Sequence, residues 1–193
     1  MKKMIKELEI YAEKNKIPIM QPDGIDYLCN YIKENDIQNI LEIGSAIGYS
    51  AIRMALVNEN IKVTTIEKDK TRYDIAVSNI NKCQLDKRIQ IINEDALNME
   101  LEDSFDLIFI DASKGHNIDF FNKYQKNLTN NGVIITDNLS FHGLVENDDL
   151  IKTKNQRGLV KKIKNFIEFL DNNKEFTTEY ILVGDKISIS QKK

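Results

Sequence analysis

Apolar and polar positions along this chain follow two periods, one typical of helices and one of strands. Two amphipathic helical runs come first, and from residue 39 short apolar runs alternate with helical segments. Predicted helices cover residues 4–14, 23–34, 47–57, 71–82 and 117–128. Predicted buried strands cover residues 40–43, 63–66, 89–92, 107–110 and 133–136. Alternation of this kind is typical of parallel strands joined by helical crossovers.

The last quarter of the chain has a different pattern. A one-sided apolar stripe through residues 159–170 predicts an amphipathic helix. Two later runs, residues 178–183 and 186–190, are joined by Gly184 and Asp185, a pair that indicates a tight hairpin. These runs therefore predict two antiparallel strands that complete the sheet.

The whole pattern predicts one α/β domain over residues 1–193, whose residues 1–36 form a helical extension. Its expected architecture is a Rossmann-like seven-stranded mixed sheet with helices on both faces. Most of its strands would be parallel, and the terminal hairpin would supply the antiparallel ones.

Composition narrows the functional classes. Of the 193 residues, 41% are hydrophobic and 30% charged, and no apolar run is long enough to span a membrane. The start of the chain has no apolar segment typical of a signal peptide, and Cys29 and Cys83 have no metal-ligand spacing. We therefore expect a cytoplasmic protein with reduced thiols. The net charge of −3 counts against a general nucleic-acid binder but leaves room for local basic patches.

Oxygen-bearing side chains follow two predicted strands that a helical crossover makes neighbours. Asp111 ends the run IFID, and Asp137 with Asn138 ends the run IITDN. Because ligands of open α/β sheets bind at the carboxyl ends of strands, these side chains should meet, with Lys114 nearby. Oxygen donors predict Mg²⁺, with Mn²⁺ or Ca²⁺ as alternatives. Taken alone, an acid at a strand end is as often a helix cap.

A glycine-containing turn connects the first strand of the alternating region to its helix. In LEIGSAIGYS, Gly44 and Gly48 allow the backbone to turn sharply and approach a ligand. The dinucleotide fingerprint GxGxxG is absent, because Ala46 stands at its second glycine. Glu67 ends the second strand, where an acid can accept hydrogen bonds from a ribose, and Asp95 follows the third. Together these features predict an adenosine-containing cofactor.

These residues carry a resemblance to a family. The chain resembles the class I S-adenosylmethionine-dependent methyltransferases, specifically the small cation-dependent O-methyltransferases that include catechol and caffeoyl-CoA enzymes. The likeness covers nearly the whole chain, through the segments NKIPIMQPDGIDYL, LEIGSAIGYSAIRMA, IEKD, IDASKG, TDN and LVGDKISIS. Within that family it is most similar to bacterial tRNA 5-hydroxyuridine methyltransferases, through PIMQPDG and GSAIGYSAIRMA.

The resemblance implies a role for each matching residue. The implied cofactor residues are Glu42, Gly44, Ser45, Gly48, Ser50, Glu67, Lys68, Asp95, Ala96 and Asp111. It also implies that Asp111, Asp137 and Asn138 bind the metal and that Asp111 and Lys114 are catalytic. Lys114 would either accept the proton of the substrate hydroxyl or stabilise the oxyanion. Homodimers are common among such relatives, so we expect a homodimer here.

The leading functional hypothesis is a Mg²⁺-dependent O-methyltransferase that acts on 5-hydroxyuridine at the wobble position of the tRNA anticodon loop and forms 5-methoxyuridine. A small catechol-like or phenolic substrate is the alternative, since both substrates present two vicinal oxygens to a metal. Two other classes fit less well. The missing GxGxxG opposes a nicotinamide oxidoreductase, and the intact metal set opposes a non-catalytic adenosine-binding module.

Contacts to the substrate are the least defined part of the prediction. Met20, His116, His142 and Arg157 are candidates. Core packing explains Met20 nearly as well, and a surface or substrate-rim position explains the two histidines better than a role as catalytic bases. A basic set accompanies the late helix: Lys152, Lys154, Arg157, Lys161, Lys162 and Lys164. Three of these recur on one helix side and could contact tRNA phosphates, although such a run is more often a solvated face.

Overall fold

The computed structural model describes residues 2–112 and 114–193, with the backbone alone at Lys114. Its α-helices are α1 (Lys2–Lys14), α2 (Pro22–Glu34), α3 (Tyr49–Ala55), α4 (Lys70–Lys82), α5 (Asn117–Tyr124) and α6 (Lys154–Asp171). Its strands are β1 (Asn39–Ile43), β2 (Lys62–Ile66), β3 (Ile89–Ile92), β4 (Phe105–Ile110), β5 (Leu128–Thr136), β6 (Phe176–Ile181) and β7 (Ile187–Lys192). Within this described part, no helix combines the length and apolar character that a membrane crossing requires.

The strands form one seven-stranded sheet in the order β3-β2-β1-β4-β5-β7-β6. The strands β1 to β5 pair in parallel, and β7 runs antiparallel to both β5 and β6. The predicted mixed sheet with its terminal hairpin is confirmed. Chain order reverses between β1 and β4, which opens a crevice at the carboxyl ends of these strands.

Several predicted boundaries are wrong by two or more residues, and two of them have a clear physical cause. The helix expected over residues 47–57 begins only at Tyr49, because Gly48 has a left-handed backbone (φ 81°) and precedes the first helical turn. The helix expected to reach residue 128 is α-helical only to Tyr124 and continues as a 3-10 turn over Gln125–Asn127. Strand β5 then begins at Leu128, because that residue pairs with Phe105 before an irregularity in the register. The start of β5 therefore depends on pairing with β4, which the local sequence around residue 128 does not reveal.

Alternate residues of the central strands enter two apolar layers. Leu107 and Phe109 of β4 pack toward the side covered by α1 to α4, whereas Ile108 and Ile110 pack toward α5 and α6. All four side chains are essentially inaccessible to solvent. Helix α6 buries its apolar stripe in the second layer, including Phe166. Because the central strands are buried on both faces, they read as continuous apolar runs in the sequence.

Polar contacts fix the amino-terminal helices over the sheet. The Tyr49 hydroxyl on α3 donates to Glu9 of α1 at 2.8 Å and accepts from Arg53 at 2.9 Å. Arg53 also pairs with Asp26 of α2, and Asp23 Oδ2 accepts from the backbone N–H of Gly184 at 3.0 Å. As a result, the connection between α1 and α2 lies above the carboxyl ends of the strands.

Candidate active site

A cavity of about 680 Å³ opens at the carboxyl ends of the five parallel strands, β1 to β5. Its walls come from the turns that follow these strands, and residues 16–21 between α1 and α2 contribute a further side. Met20, a predicted substrate contact, is among them and is almost fully buried. The cavity therefore lies where the topology opens the sheet, within the size range of small-molecule sites.

Gly44 forms the tightest part of the turn after β1. Its φ is 96°, and a Cβ added there would lie 2.6 Å from the backbone oxygen of Asp111. Its N–H donates to the carbonyl of Ile66 at 3.0 Å, which fixes the turn against β2. Only glycine fits this position, because any side chain would collide with the backbone at the end of β4.

Glu67 ties this turn to the end of β2. One carboxylate oxygen accepts from the backbone N–H of Ala46 at 2.8 Å, and the other accepts from the N–H of Asp69 at 2.9 Å. The residue is buried and lines the cavity. Each carboxylate oxygen can accept a second hydrogen bond, so Glu67 can hold a ligand hydroxyl without releasing the turn.

Glu42 lies beneath the turn, fully enclosed by the protein. Its carboxylate accepts from the hydroxyls of Ser50 and Thr65. Burial raises the pKa of Glu42 to about 7, although the two hydroxyl donors oppose the shift. Ser50 is the member of this group that lines the cavity. Glu42 thus reaches a ligand only through Ser50.

Three oxygen-bearing side chains meet at the ends of β4 and β5. The amide nitrogen of Asn138 lies 3.1 Å from Asp111 Oδ1 and 3.0 Å from Asp137 Oδ2. The strands align them, since Ile110 pairs with Thr136 one residue earlier. An asparagine amide also offers an oxygen, so the group can supply two carboxylates and one carbonyl oxygen to a hard divalent cation.

Most predicted cofactor residues face the cavity. Those lining it are Gly44, Ser45, Ser50, Glu67, Lys68, Asp95, Ala96 and Asp111. Glu42 and Gly48 do not line it: Glu42 lies below the turn, and Gly48 packs against α4, where an added Cβ would lie 3.3 Å from the Ala76 side chain. Asp95 caps its own turn by accepting from the N–H of Leu97 at 2.9 Å.

The remaining predicted residues differ in position. His116 and His142 line the cavity, and His116 Nδ1 lies 2.9 Å from Asp119 Oδ2. Arg157 is exposed in the first turns of α6 and does not line the cavity. Lys114 starts a short 3-10 turn that ends at His116, and its side chain lies outside the described residues.

Sequence reasoning missed part of the cavity wall. Gln21, Phe120, Phe141 and Asp185 all line it. The sequence pattern predicts only a hairpin turn at Asp185, and nothing local distinguishes this residue from an ordinary turn residue. Its position at the wall depends on how the hairpin between β6 and β7 packs against the turn after β5.

The fold and this cavity define a Rossmann-like methyltransferase, and comparisons with known proteins identify the family. The model of the family described as O-methyltransferase matches residues 1–193. The chain therefore belongs to the O-methyltransferase family, of the caffeoyl-CoA type, and is an S-adenosylmethionine-dependent O-methyltransferase.

Individual relatives agree with this assignment. A Staphylococcus aureus protein provisionally assigned as a caffeoyl-CoA O-methyltransferase is 35% identical with a TM-score of 0.94, covering 98% of this chain and 92% of that one. A Bacillus cereus O-methyltransferase solved with S-adenosylhomocysteine is 26% identical with a TM-score of 0.84, covering 99% and 91%. The caffeoyl-CoA O-methyltransferase of Populus kitakamiensis is 28% identical over 86% of this chain and 74% of its own length.

Proposed function

We propose that this enzyme transfers the methyl group of S-adenosylmethionine to the 5-hydroxyl of 5-hydroxyuridine at the wobble position of tRNA, with the help of a divalent cation. The product would be 5-methoxyuridine. The observation that carries the proposal is the meeting of Asp111, Asp137 and Asn138 at the edge of the cavity that Gly44 and Glu67 form. An enzyme of this kind must bring a methyl donor and an ionisable hydroxyl together, and the two groups of residues adjoin.

The donor set fits Mg²⁺, and Mn²⁺ or Ca²⁺ would use the same oxygens. Asp111, Asp137 and Asn138 would hold the cation. When bound, it would lower the pKa of a coordinated hydroxyl and fix its direction. A substrate with two vicinal oxygens suits such a site, because both can face the same cation.

The protein's own residues would align the reaction. Glu67 would accept hydrogen bonds from the ribose hydroxyls, and Ser50, held from below by Glu42, would contact the methionine end of the cofactor. Asp95 and Ala96 would border the adenine. Lys114 follows Asp111 by three residues and would either take the hydroxyl proton or stabilise the resulting oxyanion. Positioning donor and acceptor in line accounts for much of the rate enhancement of such displacements.

The outer rim supports a large, anionic substrate. None of residues 144–155 lines the cavity, so that loop leaves the acceptor side open. Lys162 extends from α6 toward the turn that carries His116, where a Cβ added at Gly115 would lie 2.9 Å from its Nζ. Arg157 and Lys161 are exposed on the same helix. Cations at the mouth of an active site attract a phosphate backbone.

A small phenolic acceptor is the second candidate, because the similar proteins from Populus kitakamiensis and Staphylococcus aureus carry caffeoyl-CoA O-methyltransferase names. The chemistry at the metal residues would be the same. The two candidates differ in what the rim contacts: phosphates in one case and little or nothing in the other.

The deciding experiment measures methyl transfer from labelled S-adenosylmethionine to tRNA carrying 5-hydroxyuridine, beside catechol, with Mg²⁺ and with EDTA. Label in tRNA that EDTA removes supports the proposal. Label in catechol alone assigns the enzyme to the phenolic branch. Label that is insensitive to EDTA contradicts the role of the metal residues. The expected homodimer and cytoplasmic location stay predictions, and size-exclusion chromatography with light scattering tests the first.

A further inference from the structure

A buried carboxylate at the acceptor end of the cavity has one oxygen without a hydrogen-bond partner. Asp185, in the turn between β6 and β7, is 5% exposed. Its Oδ1 accepts from the backbone N–H of His142 at 2.6 Å. Its Oδ2 is inaccessible and has no hydrogen-bond donor within the described residues. His142 Nδ1 lies 3.8 Å from Oδ2, which is within ion-pair distance but too long for a hydrogen bond.

Such an oxygen is costly to maintain, because burial removes the water that a carboxylate would otherwise bind. An unsatisfied buried acceptor in a folded protein therefore points to a partner that arrives later. Asp185 lines the same cavity as Asp111, Asp137 and Asn138, so a substrate is the partner closest at hand.

The backbone around Asp185 holds the segment that follows the metal residues. Leu139 donates its N–H to the carbonyl of Lys186, and Ser140 donates to the carbonyl of Asp185, both at 2.9 Å. Together with the His142 contact, these bonds place the carboxylate beside the segment that leaves Asn138. Its position relative to the metal residues is therefore defined by the sheet.

The order of the cofactor residues, the metal residues and Asp185 along the edge of the sheet indicates which part of a substrate Asp185 would face. The predicted cofactor residues follow β1, β2 and β3, the metal residues follow β4 and β5, and Asp185 lies beyond them in the turn before β7. The reacting hydroxyl must face the cofactor. In a substrate with two chelating oxygens, the second oxygen would then lie farther along the edge, and the next atom of the substrate ring would lie toward Asp185.

We propose that Asp185 determines acceptor specificity by accepting, at Oδ2, a hydrogen bond from an N–H or O–H that adjoins the chelating oxygen pair of the substrate. In 5-hydroxyuracil the 4-carbonyl is flanked by the 5-hydroxyl carbon on one side and by the N3–H on the other. Catechol has only a C–H at that place. The inference rests on the proposed function for its choice of substrate. It adds a residue, Asp185, that would recognise the base by its N3–H.

His142 is the group that a substrate would displace. Its side chain is 69% exposed, and its Nδ1 lies 3.8 Å from Oδ2, within ion-pair distance but beyond hydrogen-bond distance. The imidazole lies beside the Phe141 ring, with 5.8 Å between ring centroids, and makes no hydrogen bond to Oδ2, so it can rotate away as the donor of the substrate approaches. The backbone contact from His142 to Asp185 is independent of that rotation.

The test measures binding, so it does not depend on turnover. The probe is 3-hydroxy-2-pyridone, which has a hydroxyl, a carbonyl and an N–H in consecutive ring positions, and its N-methyl derivative lacks the donor. Calorimetry with S-adenosylhomocysteine and Mg²⁺ present compares the wild type with Asp185→Asn. The variant keeps an oxygen for the His142 N–H but presents an amide where Oδ2 was.

We expect the wild type to bind the N–H probe at least about 10-fold more tightly than the N-methyl probe, a ratio that Asp185→Asn reduces to within about twofold. Asp23→Asn is the matched control, because Asp23 holds the adjacent Gly184 from outside the cavity. This variant should keep the wild-type ratio.

Equal binding of both probes by the wild type overturns the proposal, as does an unchanged ratio in Asp185→Asn. A parallel loss for both probes and for S-adenosylhomocysteine, shared by Asp23→Asn, assigns Asp185 a purely structural role and also overturns it. If Asp185→Asn does not fold, the ratio of the wild-type affinities for the N–H probe and the N-methyl probe still tests whether the site prefers a hydrogen-bond donor. Failure of the proposed tRNA substrate would show in the methyl-transfer assay and would leave this comparison intact.

Discussion

The two ends of the cavity are built in opposite ways. At the cofactor end, Gly44 and Glu67 join β1 to β2 through short contacts, and both oxygens of Glu67 accept from backbone N–H groups. At the acceptor end, Asn138, Phe141 and His142 all have positive φ, at 68°, 50° and 59°. A left-handed conformation costs a non-glycine residue about 1–2 kcal/mol.

The two ends of the cavity therefore differ in how much backbone strain they carry. At the cofactor end, glycine takes two of the three left-handed positions of the turn after β1, Gly44 and Gly48, and Ala46 (φ 45°) takes the third, so this end stores less strain. The acceptor end keeps larger side chains in that conformation and holds them with contacts from the β6–β7 turn. Strain of this kind collects at functional sites and persists only where surrounding contacts enforce it.

Gly44→Ala should break the cofactor end and produce the largest effect. The new Cβ would meet the Asp111 backbone at 2.6 Å, so we expect a loss of about 3–5 kcal/mol from overpacking and backbone strain, together with loss of cofactor binding. Urea unfolding and calorimetry measure both. Gly158→Ala is the control, because a Cβ there meets nothing within 4 Å and should stabilise α6 by about 0.5–1 kcal/mol. Equal stability of the two variants would refute the steric account.

Asp137→Asn should separate the two ends. Loss of one carboxylate from the metal residues should lower turnover about 1000-fold, since a cation at a reacting oxygen contributes several kcal/mol. Binding of S-adenosylhomocysteine should stay within about threefold, because the contacts of Gly44 and Glu67 are untouched. Steady-state kinetics across a Mg²⁺ titration and calorimetry test this, with Asp149→Asn on an exposed turn as the control. Wild-type turnover in Asp137→Asn would exclude the metal site.

Glu42→Gln should make stability less dependent on pH. The folded-state pKa of Glu42 is raised from 4.5 to about 7, so its stabilising contribution is complete below pH 4.5 and is lost as pH rises through 7. Between pH 5 and 8 the wild type should lose about 2–3 kcal/mol more than the variant. Urea unfolding at both pH values measures this, with the exposed Glu13→Gln as the control. Parallel loss in wild type and Glu42→Gln would contradict the buried charge.

Arg157→Ala, at the outer rim, should have a smaller effect than the three substitutions above. No acid among the described residues lies within ion-pair distance of Arg157, whereas Lys164 pairs with Asp148 at 2.9 Å. If tRNA is the substrate, the KM for tRNA should rise about 3–5-fold, less so at high salt, and catechol kinetics should not change. Lys164→Ala should be weaker than Arg157→Ala. A larger effect of Lys164 would mean that the phosphate backbone lies elsewhere on α6.

Much of the fold was predictable because its signals are local. The apolar runs identified β1 to β4 to within two residues, and the Gly184–Asp185 pair indicated the hairpin. The start of β5 was missed because Leu128 is a strand residue only through its partner Phe105. Periodicity within one segment carries no information about such pairing.

The candidate site likewise has a part that the sequence predicts and a part that only the folded chain shows. Asp111, Asp137 and Asn138 could be placed together from sequence, since crossover topology brings the ends of β4 and β5 side by side. The sequence predicts the basic residues of α6 as one helix face. It does not tell which of them form an ion pair with an acid and which can bind a phosphate. Asp148 neutralises Lys164 from sixteen residues away, which only the folded chain shows.

By itself, the sequence determined the order of strands and helices, the glycine turn and the oxygen-bearing strand ends, because each follows from residue type and short-range spacing. Tertiary structure alone decided which side chains share the cavity. Met20 comes from the amino-terminal extension and Asp185 from the last hairpin, and they line one wall because contacts such as that of Asp23 with Gly184 bring the two segments together. Such long-range packing depends on the whole chain at once, so no single segment encodes it.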